Sequence, residues 1–410
     1  MVDYLFIGDD FTGASDTLAT LAERGRRARL FLDAPDPLFV AAERLDAVGL
    51  GTDLRAQPPH AIRSRLAGLA PRLLALSPRF VHYKICSTFD SAPHVGSVGA
   101  AVTALEAALR PAATLILGGQ PSLGRHCVGG SLFARAPDGD VHRIDRHPIM
   151  SRHPVTPMAE ADLRRHLAAQ GLDDLALASR FAPCGLSDSI ATSLAHGRAR
   201  ILVDALDQAD VVAFGAAAAS VEGLVLLVGA SGVAEAFAGP MAAARADDRS
   251  PAGPRLAVAG SRSAHTARQV AAARRYETTF LAADDLGAGA AGFARRQAAR
   301  LDAGANTLIA LDPALDYGLD PAALSQRVAI LTADILALSP TRAVAVAGGD
   351  TSSAVVTALG ARSLSFERRA GDGVAICRLD APGATIDGAH LLLKGGQVGP
   401  VDLFDAFAAR

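Results

Sequence analysis

Short apolar segments alternate with longer helical segments along the whole chain of 410 residues. The apolar segments are rich in Val, Leu and Ile, and the segments between them combine Ala, Leu and Arg with helical periodicity. This alternation predicts an α/β fold, in which strand–helix–strand units build three-layer domains around mainly parallel sheets. In the first half, strands are predicted at residues 4–8, 28–32, 47–51, 80–85, 114–117, 201–204 and 224–228.

A stretch at residues 239–254, GPMAAARADDRSPAGP, interrupts this alternation with Pro, Gly and charged residues. Such a composition is typical of a connection between domains, so we predict two domains, residues 1–245 and 255–410. Residues 118–157 lack periodicity and are predicted to form long loops. In the second half, strands are predicted at residues 256–259, 279–282, 307–311, 343–347, 364–367, 374–379 and 391–393.

The charge balance favours a small-molecule role. The formal net charge is −2 at pH 7, so no basic excess favours nucleic acid or an anionic membrane as a partner. No apolar segment is expected to reach the length that crosses a bilayer, and the first residues do not resemble a signal peptide. Four scattered cysteines without CxxC spacing indicate neither a zinc site nor a disulfide framework. We therefore expect a cytoplasmic protein.

Lysine occurs only at positions 84 and 394, although the chain has 40 basic residues. Where Arg has replaced Lys almost everywhere, a remaining lysine can mark a place that needs a slim ammonium and does not fit a planar guanidinium. For either lysine taken alone, chance survival is an equally good explanation.

Two adjacent carboxylates follow the first predicted strand, in the segment GDDFTGA of residues 8–14. Open α/β sheets bind ligands at the carboxyl ends of their strands. Asp9 or Asp10 is therefore a candidate general base toward a substrate hydroxyl, or a ligand of the magnesium that accompanies a nucleotide. One of them could instead cap the next helix, but capping uses a single carboxylate, so we predict a function for at least one of the pair.

Lys84 closes another predicted strand, at the same topological position as the Asp pair, and the polar segment CSTFDS of residues 86–91 follows it. Lys84 is predicted to neutralise a substrate carboxylate or a transferring phosphoryl group, and Asp90 offers a further carboxylate. Ser87 lies in the same segment and is a candidate substrate contact. A surface ion pair is the structural alternative for Lys84.

Two arginines are candidates for bidentate binding of a carboxylate: Arg55, just after a predicted strand, and Arg125, in a Gly-rich loop. With so many arginines in the chain, neither is decisive alone. His142, His147 and His153 are five and six residues apart, which fits no metal-binding helix spacing and indicates loop packing or one substrate contact.

Three glycine-rich turns follow predicted strands in the second half: GSRS at 260–263, GGDTSS at 348–353 and KGGQVG at 394–399. Adjacent glycines between a strand and a helix expose backbone N–H groups that suit a phosphate. One such turn is weak evidence, but three in one domain predict a nucleotide site. The candidate residues are Ser261, Ser263, Gly348, Gly349, Asp350, Thr351, Gly395 and Gly396.

A further segment, GAGAAG at residues 287–292, matches the GxGxxG pattern of dinucleotide-binding proteins. It supports an oxidoreductase as an alternative hypothesis. The surrounding Ala/Gly richness makes an accidental match easy, and Asp284 and Asp285 would stand close to a pyrophosphate. No GxxxxGK[ST] segment occurs, which argues against a P-loop kinase.

Together these motifs resemble the four-carbon acid sugar kinase family over nearly the whole chain. The resemblance in the first half rests on GDDFTGASD at 8–16, YKICSTFDS at 83–91, PSLGR at 121–125, HPVTPM at 153–158 and GASG at 229–232. In the second half it rests on GSRS at 260–263, AGGDTSSAVV at 347–356 and LLLKGGQVGPVDLF at 391–404. Where relatives often have SGSCS, this chain has AGSRS at 259–263, so Arg262 is expected to alter the nucleotide contact or to add one to phosphate.

The resemblance implies an N-terminal domain that binds a sugar acid, a C-terminal domain that binds ATP, and an active-site cleft between them. It implies phosphorylation of the terminal hydroxyl of a four-carbon sugar acid by ATP with Mg²⁺. The segments CSTFDS and HPVTPM are most similar to the 3-oxo-tetronate kinase branch. Kinases of D-threonate, D-erythronate and 3-oxo-isoapionate are near neighbours, and a homodimer is left open.

The roles follow from this hypothesis. Asp10 or Asp9 would take the hydroxyl proton, and Lys84 would neutralise charge. Arg55 and Arg125 would hold the substrate carboxylate, with His153 as a further substrate contact. An NAD-dependent dehydrogenase and a non-catalytic sugar-acid sensor remain as distant alternatives.

Overall fold

The computed structural model describes residues 2–136, 138–153, 155–198, 200–239 and 251–409. Its strands are β1 (Tyr4–Gly8), β2 (Ala28–Phe31), β3 (Ala47–Gly51), β4 (Phe80–Lys84), β5 (Ala113–Leu117), β6 (Arg125–Val128), β7 (Ser131–Arg135), β8 (Val141–Arg143), β9 (Ala176–Ala178), β10 (Arg200–Val203), β11 (Val225–Gly229), β12 (Leu256–Ala259), β13 (Glu277–Leu281), β14 (Thr307–Leu311), β15 (Ala343–Ala347), β16 (Ser363–Gly371), β17 (Val374–Asp380) and β18 (His390–Lys394).

Helices lie between most of these strands, as the sequence pattern predicts. They are α1 (Phe11–Ala22), α2 (Pro37–Ala42), α3 (Pro59–Leu74), α4 (Val98–Leu109), α5 (Leu163–Ala168), α6 (Gly185–Ala195), α7 (Gln208–Ser220), α8 (Gly232–Ala238), α9 (Ala264–Ala272), α10 (Ala290–Asp302), α11 (Pro321–Leu338), α12 (Gly349–Ala358) and α13 (Leu403–Ala408). The predicted α/β class is therefore confirmed.

The chain divides into two compact units. The first comprises Met1–Asp9, Thr20–Ala28 and Ala34–Ala242, and the second comprises Asp10–Ala19, Arg29–Asp33 and Ala243–Arg410. The second unit thus contains two short N-terminal segments, which the prediction of two continuous domains, 1–245 and 255–410, did not include. Most of the predicted connection at 239–254 lies outside the described residues, so its position stays a prediction.

The first unit contains a parallel sheet with the strand order β3-β1-β4-β11-β5-β10-β9. Strands β1, β4, β5 and β11 are buried along their whole length. Continuous apolar strands of this kind are expected where helices cover both faces of a parallel sheet. Helix starts are fixed locally by side chains, as where Asp207 and Asp210 form a capping box at α7.

The second unit has the strand order β13-β14-β12-β15-β18-β17-β16-β2. Strands β13, β14, β12, β15 and β18 are parallel, whereas β17, β16 and β2 are antiparallel to their neighbours. One apolar cluster packs α9 and α13 on the sheet, with Val270 and Phe404 against residues such as Ala345 and Leu392. This packing holds the carboxyl ends of β12, β15 and β18 at one edge.

The prediction of long loops at residues 118–157 is wrong. Strands β6, β7 and β8 form a separate antiparallel sheet in this region. The β6–β7 turn contains Gly129 and Gly130, both with positive φ angles (60° and 79°), so the glycines that suggested a loop belong to a hairpin. The carboxylate of Asp204 fixes that turn because it accepts from the N–H groups of Gly129 (2.8 Å) and Gly130 (2.9 Å).

Helix α11 corrects a second expectation. Among the described residues it is the one helix long and apolar enough to cross a membrane by length and composition, whereas no such segment was expected. Residues such as Val328 and Ile335 are buried, and the helix packs against α10 and α12.

Candidate active site

Four neighbouring strands of the first unit end in register, three of them with a glycine and one with a lysine. Gly8 is paired in register with Gly51 on one side and with Lys84 on the other, and Lys84 is paired in turn with Gly229. Lys84 is therefore the one residue of this four-strand layer that has a side chain, and it is only 6% exposed. As predicted, Lys84 ends its strand, and the strand that leads to Asp9 is its neighbour in the sheet.

Asp9 and Arg55 form a bidentate ion pair. The Nε of Arg55 donates to Oδ2 of Asp9 (3.0 Å) and Nη2 donates to Oδ1 (2.7 Å). The backbone N–H of Arg55 also donates to the carbonyl of Asp9 (2.8 Å), and the N–H of Asp9 donates to the carbonyl of Lys84 (2.9 Å). The bidentate fork that suggested a substrate carboxylate at Arg55 thus engages a carboxylate of the protein.

The segment after β4 packs closely on Arg55. Gly96 has a φ of +58°, and a Cβ at this position would lie 2.5 Å from the carbonyl oxygen of Arg55. Only glycine allows both this backbone conformation and this approach. The N–H of Gly96 also donates to the carbonyl of Gln57 (2.9 Å), so the segment and the Arg55 turn are fixed together.

Cys86 lies at the centre of the predicted charged residues. Its Sγ is 3.0 Å from Oγ1 of Thr88, which donates to Oδ1 of Asp90 (3.1 Å). Burial raises the pKa of the thiol to about 11, with Asp90 adding to the shift and with Arg55 and Lys84 opposing it. The thiol is therefore neutral, and these three charged side chains are within electrostatic reach of it. Sequence reasoning did not single out Cys86, because cysteine was judged only by metal and disulfide spacing.

Arg125, the second predicted arginine, is partly buried. Its Nη1 donates to the carbonyl of Leu123, and burial lowers the pKa of the guanidinium, an effect that the nearby Cys86 opposes. Among the described residues, the buried Nε has no hydrogen-bond partner. A buried N–H without an acceptor is unfavourable unless a ligand supplies one.

The other two predicted substrate contacts are less constrained. Ser87 is half-buried. The Nδ1 of His153 accepts from the N–H of Thr156 (3.1 Å), which orients the ring. Both stay predictions. Of the other histidines in this region, His147 accepts from two backbone N–H groups, and the half-buried His142 of β8 lies near the exposed Asp138 and Asp140.

In the second unit, the three predicted glycine turns follow three neighbouring parallel strands. Ala259 is in register with Ala347, and Ala347 with Lys394, so β12, β15 and β18 end at one level. The N–H groups of Gly260 and Ser261 both donate to the carbonyl of Ala347 (2.9 and 3.0 Å). The sequence predicted the turns one by one, and the structure brings them together.

The three turns pack closely against one another, and two of their contacts require a glycine. A Cβ on Gly260 would lie 2.2 Å from Oγ1 of Thr351, and one on Gly396 would lie 2.6 Å from Oγ of Ser261. Gly348, with a φ of +126°, has a backbone conformation that residues with a Cβ rarely adopt. Ser263 joins the first turn to the third because its Oγ donates to the carbonyl of Gly396 (2.6 Å).

Lys394 lies beneath these turns and is fully buried. Its Nζ donates to Oγ1 of Thr266 (3.0 Å), and this hydroxyl donates to the carbonyl of Gly396 (3.0 Å). Burial lowers the pKa of Lys394 to about 8. The two lysines therefore end strands in different units and have different surroundings.

Asp10 belongs to the second unit and caps α1. Its Oδ1 accepts from the N–H of Gly13 (3.0 Å) and its Oδ2 from the hydroxyl of Thr12 (2.9 Å). A Cβ on Gly349 would lie 3.7 Å from Oγ1 of Thr12 and 3.9 Å from Oδ2 of Asp10. The capping alternative is thus correct for Asp10, and the same carboxylate stands beside the second glycine turn. With the exposed Asp350 it offers oxygen ligands of the kind that Mg²⁺ prefers.

A cavity of about 520 Å³ opens next to the first turn of the second unit. Its walls are mostly apolar, which suits a flat aromatic ring system. Sequence reasoning missed it because its lining comes from separate strand ends and from α9. The lining residues are Ala259, Ser261, Thr266, Ala267, Val270, Ala271, Ala273, Arg274, Thr278, Phe280, Leu311 and Pro313.

The GxGxxG segment has no available phosphate cradle. The N–H groups of Gly287 and Gly289 both donate to the carbonyl of Asp284 (2.9 Å each). A Cβ on Gly289 would lie 2.5 Å from the carboxylate of Asp284, so this glycine is required by the turn itself. The fingerprint that suggested a dehydrogenase is a local turn before α10.

Arg262, the departure from the family pattern, is exposed, and its Nη1 lies 3.5 Å from the carbonyl oxygen of Leu315. A contact of this length is at the limit of a hydrogen bond. Its expected effect on the nucleotide stays a prediction.

Comparison with known proteins divides the chain into a sugar-binding part and a nucleotide-binding part. Residues 4–237 match the model of a sugar-binding N-terminal domain, and residues 256–404 match that of a nucleotide-binding C-terminal domain. The chain belongs to the four-carbon acid sugar kinase family, which confirms the resemblance drawn from its motifs.

The relatives are similar over nearly the whole chain. A 3-oxo-isoapionate kinase of Paraburkholderia graminis is 32% identical, with 97% of this chain and 92% of the relative covered. A 3-oxo-tetronate kinase of Cupriavidus necator is 33% identical, with 97% and 95% covered. A D-threonate kinase of Salmonella typhimurium is 30% identical over 65% of this chain and 59% of the relative.

Solved structures share the fold. A Haemophilus influenzae protein is 25% identical, with a TM-score of 0.73 and 99% of both chains covered. A Salmonella typhimurium LT2 protein described as a tRNA synthase is 24% identical, with a TM-score of 0.80 and 99% and 98% covered. At the latter identity the likeness shows the fold alone.

Proposed function

We propose that this protein is an ATP-dependent kinase that phosphorylates the terminal hydroxyl of a four-carbon sugar acid, with 3-oxo-tetronate as the first candidate. Several relatives similar over nearly the whole chain are named 3-oxo-tetronate kinase. 3-Oxo-isoapionate, D-threonate and D-erythronate are the alternative substrates, since relatives named for the first two are also similar. A cytoplasmic location and a homodimer stay predictions.

The observation that carries the proposal is the convergence of three glycine turns at one edge of the second unit. The N–H groups of Gly260, Ser261 and Gly348 already donate within the protein, so the phosphates would bind at the N-terminus of α12, next to the third turn. The apolar cavity beside Ser261 and Thr266 would then hold the adenine base. Phosphates and base would thus occupy adjacent sites on one unit.

The substrate carboxylate would bind at the first unit, where Arg125 and Lys84 lie near the neutral thiol of Cys86. Arg125 has a buried N–H without an acceptor, which an anionic ligand would satisfy. Arg55, oriented by Asp9, would add positive charge at the same edge.

Asp10 would take the proton of the attacking hydroxyl, because it stands beside the second glycine turn, whereas Asp9 is held by Arg55. Asp350 would hold Mg²⁺, which would neutralise phosphate charge when it is bound, and Asp10 would be the metal ligand only if Asp9 is the base. Lys84 would neutralise charge on the substrate side. Most of the catalysis would thus come from positioning and electrostatics.

The test is a coupled assay for ADP release with purified protein, MgATP and a panel of sugar acids. We expect turnover with at least one of 3-oxo-tetronate, 3-oxo-isoapionate, D-threonate and D-erythronate, and a product phosphorylated on its terminal carbon. Release of ADP without a phosphorylated sugar acid would contradict the proposal. The ratio of kcat/KM values across the panel identifies the substrate.

Thermal-shift measurements separate the alternatives. Stabilisation by MgADP is expected for the kinase, since a ligand that binds the folded state raises its melting temperature. Stabilisation by NAD alone would favour the dehydrogenase. A response to sugar acids with no effect of any nucleotide would favour the sensor.

A further inference from the structure

Lys394 is a buried cation whose charge has no carboxylate partner within the part of the chain that the structure describes. The side chain is fully buried, and its Nζ donates to the hydroxyl of Thr266 at 3.0 Å. A buried ammonium is unfavourable unless it is paired, and it responds by losing its proton more easily. Accordingly, burial lowers its pKa to about 8.

The surroundings of Lys394 do not supply the missing negative charge. Burial is the one cause of its pKa shift, so the titratable groups on neighbouring elements make no resolved contribution. Those groups are Asp10 on the segment beside Gly395, His265 and Arg268 on α9, Asp350 on α12, and Cys377 and Arg378 on β17.

One hydroxyl separates this ammonium from the proposed nucleotide site. Thr266 accepts from Nζ, donates to the carbonyl of Gly396, and lines the 520 Å³ cavity together with Ser261. A phosphate bound at the glycine turns would therefore place negative charge near Lys394 in a medium of low polarity, where such interactions are strong.

We propose that Lys394 supplies the positive charge of the nucleotide phosphate site through Thr266, and that it takes up a proton when a nucleoside diphosphate or triphosphate binds. This inference rests on the proposed function. Lys394 acts as a positioning residue, because it orients Thr266 and the third glycine turn without touching the ligand.

The proposal gives a pH signature. With a pKa of about 8, Lys394 of the free protein would be about half protonated at pH 8 and almost fully protonated at pH 6.5. Nucleotide binding would then take up about half a proton at pH 8 and close to none at pH 6.5. Above pH 8, affinity for MgADP should fall by up to about tenfold per pH unit, because the ligand prefers the protonated form.

Calorimetry of MgADP binding at pH 8, in buffers with different ionisation enthalpies, measures this proton uptake. MgADP itself does not titrate near this pH, so the protons come from the protein. Uptake of about half a proton is expected for the natural protein and for the control Arg295→Met, which removes an exposed cation of the same unit. Lys394→Met should bind more weakly and without proton uptake.

A second measurement observes Lys394 directly and does not require Lys394→Met to fold. Since the chain has two lysines, protein labelled with ¹³C at lysine Cε gives two NMR signals, and Lys84→Met assigns them. The Lys394 signal should titrate near pH 8 in the free protein and at least about one pH unit higher with saturating MgADP.

Binding of MgADP with no proton uptake and an unchanged Lys394 titration would overturn this inference while leaving the kinase proposal intact. Absence of any MgADP binding would overturn both. A structural role alone predicts that Lys394→Met loses stability but leaves the proton count of the remaining binding unchanged.

Discussion

The two units prepare their ligand sites in opposite ways. The edge of the first unit is made of charged side chains, where Lys84, Arg55, Asp90 and Arg125 lie around Cys86. The edge of the second unit is made of glycine turns and hydroxyls above a single buried lysine. Side chains can be exchanged to suit different sugar acids, whereas a helix N-terminus suits any phosphate. We therefore expect specificity for the sugar acid to depend on the side chains of the first unit.

The largest effect is expected for Asp10→Asn. Asn caps helices as well as Asp does, so the start of α1 should be preserved. Loss of the general base should lower kcat by about 100-fold or more. The measurements are kcat and the melting temperature, and a large loss of kcat without a loss of stability separates catalysis from capping. If Asp9→Asn loses activity and Asp10→Asn does not, the proton acceptor is Asp9.

Arg125→Gln tests the side-chain edge. The KM for the sugar acid should rise about 10- to 100-fold, since a hydrogen bond from a charged group contributes about 1.5–3 kcal/mol. The KM for MgATP should stay unchanged. The control is Arg135→Gln, at an exposed residue nearby, in which the KM values for the sugar acid and for MgATP should both stay unchanged. Because Arg125 has a buried N–H without a partner, the ligand-free variant should be no less stable. A marked fall in melting temperature would indicate a structural role instead.

Gly260→Ala tests the backbone edge. Its Cβ would meet Oγ1 of Thr351 at 2.2 Å, so the turns must separate. We expect the KM for MgATP to rise about tenfold and the free energy of unfolding to fall by roughly 1–3 kcal/mol. Gly287→Ala is the matched control, with its nearest neighbour at 3.7 Å. If Gly287→Ala also impairs nucleotide binding, the GxGxxG segment takes part in it.

Lys394→Met tests the cost of a buried cation in the absence of ligand. The folded-state pKa of about 8 lies below the unfolded value of 10.5, so the unfolded state binds more protons between these pH values. The stability of the natural protein should therefore rise with pH over this window. At pH 7 the variant should be more stable by roughly 1–3 kcal/mol, with the gap closing toward pH 10.5. Denaturant unfolding at several pH values measures this difference in the free energy of unfolding. A difference that does not change with pH would contradict a lowered pKa of Lys394.

Strand positions and motif locations were predictable from sequence because both are local. Every predicted strand is present within a few residues, although 279–282 shifts to Glu277–Leu281 and 364–367 extends to Ser363–Gly371. The three glycine turns were found for the same reason. Their meeting at one edge follows from the adjacent parallel order of β12, β15 and β18, which the sequence pattern alone does not specify.

What the sequence could not show depends on pairing over long distances. Nothing in the spacing of Asp9 and Arg55 indicates their bidentate contact, and an arginine-rich chain offers many equivalent partners. The antiparallel sheet at residues 125–143 was missed because its strands are short and only partly apolar. The buried state of Lys394 was likewise hidden, although its rarity had drawn attention to it.

The discontinuous makeup of the second unit has a consequence for synthesis. Residues 10–19 and 29–33 leave the ribosome well before the rest of their unit, which follows residue 242. Leu30 of β2 pairs with Leu364, and Asp16 forms an ion pair with Arg369 at 2.6 Å. At ordinary elongation rates these early segments wait on the order of ten seconds or more for such partners. During that interval an apolar strand has no partner in its own unit, so the nascent chain, more than the finished protein, is the form in which chaperones would be needed.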